Sequence, residues 1–225
     1  MGKLIVIEGG DASGKETQTA LLCERLRADG KRVERLSFPN YDSPSSALVK
    51  MYLGGEFGSN PNSVNPYAAA MFYAVDRFAS HETGWGELLR GDCIVVADRY
   101  VTSNIVYQAA KMKTEGEKLG FIKWVEDIEY NKLGLPRPDA VLFLNMEPEA
   151  AAKLMAARKN KITDGDEKDI HEKDADYLKT AYDNACFAAR SSGWTEIKCS
   201  EGGCAKSIEE IHEDILANLK NLKVF

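Results

Sequence analysis

Short apolar runs alternate along this chain with longer stretches in which apolar residues recur every three or four positions. Leu4–Glu8, Val33–Phe38, Cys93–Asp98, Ala140–Asn145 and Thr195–Cys199 are largely apolar or β-branched and too brief for helices, which predicts five strands. Between them Lys15–Asp29, Asn65–Leu89, Ser103–Lys113, Gly120–Lys132, Pro148–Arg158 and Asp169–Arg190 read as helices, and Ser207–Leu222 adds a last one. Strands separated by helices build a parallel sheet covered on both faces. The predicted fold class is α/β: three layers, with a five-stranded parallel sheet between helices. Gly54–Pro66, rich in Gly, Asn, Ser and Pro, reads as a mobile loop. The polar stretch Arg158–Lys168 lies between two helices, as a solvated connection or a mobile lid.

The first strand runs into Gly9-x-x-x-x-Gly14-Lys15, and helix-forming sequence follows at once. Strand, glycine-rich turn and helix in that order make a P-loop, whose inward N–H groups and helix N-terminus attract phosphate. Gly9, Gly10, Asp11, Ala12, Ser13 and Gly14 would form the cradle, and Lys15 would add a point charge for the outer phosphates. The motif calls next for Ser or Thr, whose hydroxyl ligates Mg²⁺, but here Glu16 stands there. Thr17 does not substitute directly, because one helical step rotates a side chain by about 100°. A carboxylate about 4 Å from a phosphate costs on the order of 4 kcal/mol at an effective dielectric of 20. Glu16 must therefore meet the metal, directly or through water, or turn away from the phosphates. Metal contact is the preferred expectation, since Mg²⁺ is a hard cation that takes oxygen ligands.

Composition changes this picture little. With 225 residues, 44 % hydrophobic and 28 % charged, the chain has the make-up of an ordinary globule and the length for one well-buried domain, 1–225. A net charge of −6 without a basic block argues against nucleic acid or a membrane surface as partner. No apolar run approaches a bilayer span, and a strand starting at residue 4 leaves no room for a leader peptide. Cys23, Cys93, Cys186, Cys199 and Cys204 are scattered and show no zinc-type spacing, which suits a reducing cytoplasm.

A second cluster spans residues 93–108, where an apolar strand ends in Asp98-Arg99-Tyr100. Asp98 there would hold Mg²⁺ or its waters. Together with Phe38-Pro39 after the second strand, Tyr73 and Arg77 four apart on a central helix, and Asn104 and Tyr107 beyond Asp98-Arg99-Tyr100, the pattern resembles the thymidylate kinase family. Gly9 to Lys15 with Asp11 in place matches the family's Gly-x-Asp-x-x-Gly-Lys turn. The resemblance has specific motifs from Lys3 to about Asn145 and general layout beyond. It implies a P-loop fold, ATP and dTMP as substrates, Mg²⁺ as cofactor and a homodimer.

By the same resemblance Asp11 would bond the 3′-hydroxyl of dTMP and Arg99 would hold its phosphate. Tyr73 would stack on thymine, Arg77 and Asn104 would meet its polar edge, and Tyr107 would close off the 2′ position. Phe38, Pro39, Tyr41, Ser103 and Gln108 would complete the acceptor site, while Phe72 reads as core. Two departures matter besides Glu16. Asn40 stands where many members have an arginine, and the turn has Ala12 and Ser13 rather than an arginine after Asp11. Members of that second kind keep basic residues in the lid, a place filled here by Arg158, Lys159 and Lys161, with Arg158 as first choice for the catalytic cation. The rival readings are a kinase for another monophosphate and a P-loop binder that lost turnover.

Overall fold

The computed structural model describes residues 2–159 and 175–224. Its centre is a sheet of β1 (Lys3–Gly9), β2 (Val33–Ser37), β3 (Ile94–Asp98), β4 (Ala140–Asn145) and β5 (Thr195–Lys198). The strands are all parallel, in the order β2-β3-β1-β4-β5. Because successive side chains on a strand point to opposite faces, each strand feeds two cores. Ile5, Ile7, Ile94 and Val96 pack under α1 (Lys15–Ala28) and the C-terminal helix, with Leu22, Leu26, Ile211 and Ile215. Leu4, Val6, Val95 and Ala97 pack the opposite way, with Ala70, Trp85, Ile105, Phe121 and Ala188. Those residues belong to a second helical layer.

That second layer begins after α2 (Ala47–Leu53), with α3 (Pro66–Ser80) running through a π-helical turn at His81–Trp85 into α4 (Gly86–Arg90). It continues with α5 (Val101–Gln108) and α6 (Glu115–Glu126), which passes into a π-helical turn at Asp127–Lys132. The layer ends with α8 (Ala175–Ser192); α7 (Pro148–Lys159) precedes it, and α9 (Ile208–Asn221) closes the other face. A small antiparallel hairpin, β6 (Ser200–Glu201) with β7 (Cys204–Ala205), joins β5 to α9.

Several boundaries differ from the sequence reading. Helix α6 starts at Glu115, not Gly120, because Thr114 accepts from the Glu117 N–H while the Glu117 carboxylate accepts from the Thr114 N–H. That reciprocal box satisfies two orphan donors and extends the helix by a turn. Helix α5 starts at Val101, not Ser103, with Arg99 and Tyr100 between it and the strand. Neither α2 nor the hairpin was expected, since each is too short to show a period. The expected helix over Asn65–Leu89 is one continuous rod in the structure, with the π turn inside it. The lid at 158–168 lies outside the described residues, apart from the α7 backbone at 158 and 159, as do the side chains of Arg158, Lys159 and Lys161.

Candidate active site

The loops leaving β1 and β3 go to opposite faces of the sheet, so a crevice opens between these neighbouring strands at their C-terminal ends. Open parallel sheets bind ligands at such a divide. On its β1 side the chain turns sharply through Ala12 (φ 57°) and Gly14 (φ 86°) before α1 starts at Lys15. The left-handed residues are thus Ala12 and Gly14, and Gly10 needs no such freedom. Gly9 is required for another reason: a Cβ there would lie 2.7 Å from Ser13 Oγ. Gly9 and Ser13 are buried and shape the turn from behind, with Ser13 Oγ donating to the Gly10 carbonyl at 2.8 Å. Lys15 Nζ donates to that same carbonyl at 2.6 Å. Its burial, with Arg99 nearby, lowers its pKa to about 8.

Asp11, Ala12, Gly14, Lys15, Glu16 and Thr17 line a cavity with Ser37, Phe38, Pro39, Tyr41, Asp98 and Arg99. Asp98 Oδ1 is buried there without a hydrogen-bond partner, and burial raises its pKa. Glu16 differs: its side chain is 85 % exposed and its carboxylate lies 3.8 Å from Arg35. It faces the open side of the cavity.

A second cavity, of about 630 Å³, adjoins the first. Every acceptor-site residue named from the sequence lines it: Asp11, Phe38, Pro39, Tyr41, Tyr73, Arg77, Arg99, Ser103, Asn104, Tyr107 and Gln108. Leu53 and Tyr100 complete the wall. Arg99 has a left-handed backbone (φ 67°), which points its guanidinium back across the P-loop. It donates to Asp11 at 2.8 Å and to the Tyr107 hydroxyl at 3.1 Å. Tyr73 meets Tyr52 edge-on at 6.4 Å, leaving its own ring on the cavity wall. Phe72 packs on Tyr52 and Phe57, as expected of core.

Three buried carboxylates hold these groups, and sequence reasoning missed all three. Glu8 accepts from the hydroxyls of Thr102 and Ser103 at 2.6 and 2.7 Å and lies 3.8 Å from Arg99. Asp76 accepts from the Asn40 N–H at 2.8 Å and the Ser45 hydroxyl at 2.6 Å, which ties the Phe38-Pro39 loop to α3. Glu129 accepts both Nε and Nη2 of Arg77 at 2.7 Å. Arg77 therefore has its Nε and Nη2 committed inside the protein, while the residue still lines the cavity. A carboxylate inside an apolar strand or helix is the unused signal that could have found Glu8 and Asp76, since such a charge is rarely buried unpaired.

Residues 7–215 match the family model described as thymidylate kinase. The chain belongs to the thymidylate kinase family. Members of this family phosphorylate dTMP to dTDP, and this chain is a kinase of that family. Thymidylate kinase from Mycobacterium tuberculosis is 38 % identical over 174 residues, 77 % of this chain and 79 % of that one. The human enzyme is 30 % identical over 221 residues, 95 % and 88 % of the two chains. That of Plasmodium falciparum is 30 % identical over 223 residues, 99 % and 92 %. The fold matches a solved Candida albicans thymidylate kinase with a TM-score of 0.73, across 99 % of this chain and 93 % of that one, at 21 % identity.

Proposed function

We propose that residues 1–225 act as one kinase domain that transfers the γ-phosphate of ATP to dTMP, giving ADP and dTDP. The observation carrying this reading is that the P-loop cavity and the acceptor cavity share Asp11, Phe38, Pro39, Tyr41 and Arg99. A donor on the loop and an acceptor in the pocket would meet at these residues. Positioning and charge neutralisation are most of what phosphoryl transfer requires. Lys15 and the turn N–H groups would hold the ATP phosphates, and Arg99 would bridge the acceptor phosphate and the moving group. Tyr73 would stack on thymine, and Asp11 and Tyr107 would contact the sugar. Arg158 would add the lid's cation.

Mg²⁺ fits this site, because Asp98 Oδ1 is a buried oxygen with no protein donor. Among the described residues no group of three or more His, Cys, Asp or Glu side chains could hold a metal alone. Asp98, with Glu16 at the open side, would hold the ion through its waters and the phosphates, the usual manner for Mg²⁺. When bound, the ion neutralises phosphate charge. A homodimer is supported by an exposed stripe on α3, where Tyr67, Val75 and Phe78 face outward at helical spacing. A cytoplasmic setting is supported by five free cysteines, and no described helix is long and apolar enough to cross a membrane.

A screen of dTMP, dUMP, dCMP, dGMP, dAMP and thymidine as phosphoryl acceptors, read by ADP release with Mg²⁺ and ATP, tests the reading. dTMP should give the highest kcat/KM. A better purine or nucleoside acceptor would replace the substrate assignment, and ATP binding without single-turnover transfer would replace the kinase assignment.

A further inference from the structure

Glu129 belongs to none of the sequence motifs, yet it touches both side chains assigned to the base. It sits on the π-helical turn after α6 and is fully buried. Its Oε2 accepts from Arg77 Nε, and its Oε1 accepts from Arg77 Nη2 and from Asn104 Nδ2, all at 2.7 Å. The other Asn104 Nδ2 proton goes to the Ala70 carbonyl at 3.0 Å. Both neighbours of this end of the amide are pure acceptors, so the NH₂ group must face them. Asn104 Oδ1 is left for the cavity that Asn104 lines. On Arg77, the Nε and Nη2 edge is taken, and Nη1 is left for the same cavity.

We propose that Glu129 is a positioning residue that fixes the hydrogen-bond polarity of the base pocket, a donor from Arg77 beside an acceptor from Asn104, and so selects a keto pyrimidine over an amino pyrimidine. This rests on the reading of Arg77 and Asn104 as base contacts. Thymine presents a carbonyl, O4, next to a donor, N3–H, which complements that pair. Cytosine presents an amino group next to a bare N3, so donor would face donor and acceptor would face acceptor. A freely rotating Asn104 amide could flip to suit cytosine. Glu129 opposes the flip most strongly, since it would bring Asn104 Oδ1 against a carboxylate oxygen at the shorter of its two contacts, with the Ala70 carbonyl adding to the same effect. The discrimination is thus set by a group that never meets the substrate.

Steady-state kinetics of E129Q with dTMP and dCMP test this. The carboxamide keeps the volume but can turn an NH₂ group toward Asn104, so the shorter of the two contacts that oppose its second orientation becomes favourable and only the Ala70 carbonyl still opposes it. The ratio of kcat/KM for dTMP over dCMP should fall at least about tenfold, with KM for ATP held within about twofold. An unchanged ratio, with both acceptors slowed alike, overturns the proposal and leaves Glu129 a structural support. R77A and N104A test the underlying reading separately: if neither lowers kcat/KM for dTMP, the base assignment itself fails. Should E129Q not fold, the nucleotide-free wild-type protein gives a second readout through the ¹⁵N side-chain amide of Asn104, identified by its loss in N104D. Its protons should exchange with solvent at least about tenfold more slowly than those of exposed asparagines. Exchange as fast as at the surface overturns the proposal.

Discussion

Replacing Arg77 by alanine removes more than a ligand contact, because it strands the buried carboxylate of Glu129. Breaking a buried ion pair from one side costs about 3–5 kcal/mol, most of it from the charge left behind. Urea unfolding of Arg77→Ala should show a loss of that order, together with collapse of dTMP turnover. Arg77→Met combined with Glu129→Leu should recover most of the stability and none of the dTMP turnover. A recovery of both would remove Arg77 from the acceptor site. Position 16 offers a contrasting case, since its carboxylate is exposed and leans on Arg35. If it also reaches the metal through water, Glu16→Ala will raise the Mg²⁺ concentration for half-maximal rate, and Glu16→Ser will raise it less. Asp98→Asn should raise it most, because Asp98 brings the buried oxygen. Superimposable Mg²⁺ curves for wild type, Glu16→Ala and Glu16→Ser would assign Glu16 to Arg35 alone.

Helices α6 and α9 begin with the same device, Thr114 with Glu117 and Ser207 with Glu210. Each N-cap hydroxyl satisfies a backbone N–H that the helix cannot. Ser207→Ala should cost about 1 kcal/mol in chemical unfolding. The α9 face with Ile211, Ile215 and Leu219 should stay packed, and the active site should be little affected. Backbone hydrogen bonds hold the Glu117 and Glu210 carboxyls below their usual pKa. A lowered folded-state pKa contributes stability above the ordinary carboxylate range, and that contribution fades as pH falls through the lowered value. The melting-temperature difference between wild type and Glu210→Gln should therefore shrink below about pH 4, since Ser207→Ala would keep the backbone N–H from which the carboxylate accepts. A gap that is constant with pH would deny the carboxylate any share in the cap.

At the scale of the whole molecule, the exposed Tyr67, Val75 and Phe78 lie on the same helix as Tyr73 and Arg77. An assembly through α3 would therefore sit directly behind the acceptor cavity. Size exclusion with light scattering should give twice the mass of the chain, and Val75→Arg with Phe78→Glu should give a monomer. A wild-type monomer at micromolar concentration would dispose of the homodimer. The two cavities meet only because β1 and β3 are neighbours, although 84 residues lie between Gly9 at the end of β1 and Ile94 at the start of β3.

By itself the sequence determined the strands and the P-loop, and its resemblance to the family named the side chains around the crevice. Strand period, glycine spacing and the Asp98-Arg99-Tyr100 cluster are local signals, and local signals survive in one dimension. It also held the capping boxes, although the Thr114–Glu117 box went unread and α6 was expected to start at Gly120 rather than Glu115. Tertiary structure decided which polar groups face one another. Glu8 and Asp76 lie close in sequence to named site residues, but their partners Ser103 and Ser45 come from other elements. Glu129 is further from view, since 52 residues separate it from Arg77 and a π-helical turn carries it. No spacing rule anticipates such a pair. Burial makes the carboxylates find donors wherever the fold brings them, and the fold, not the local sequence, sets what each remaining hydrogen bond can read.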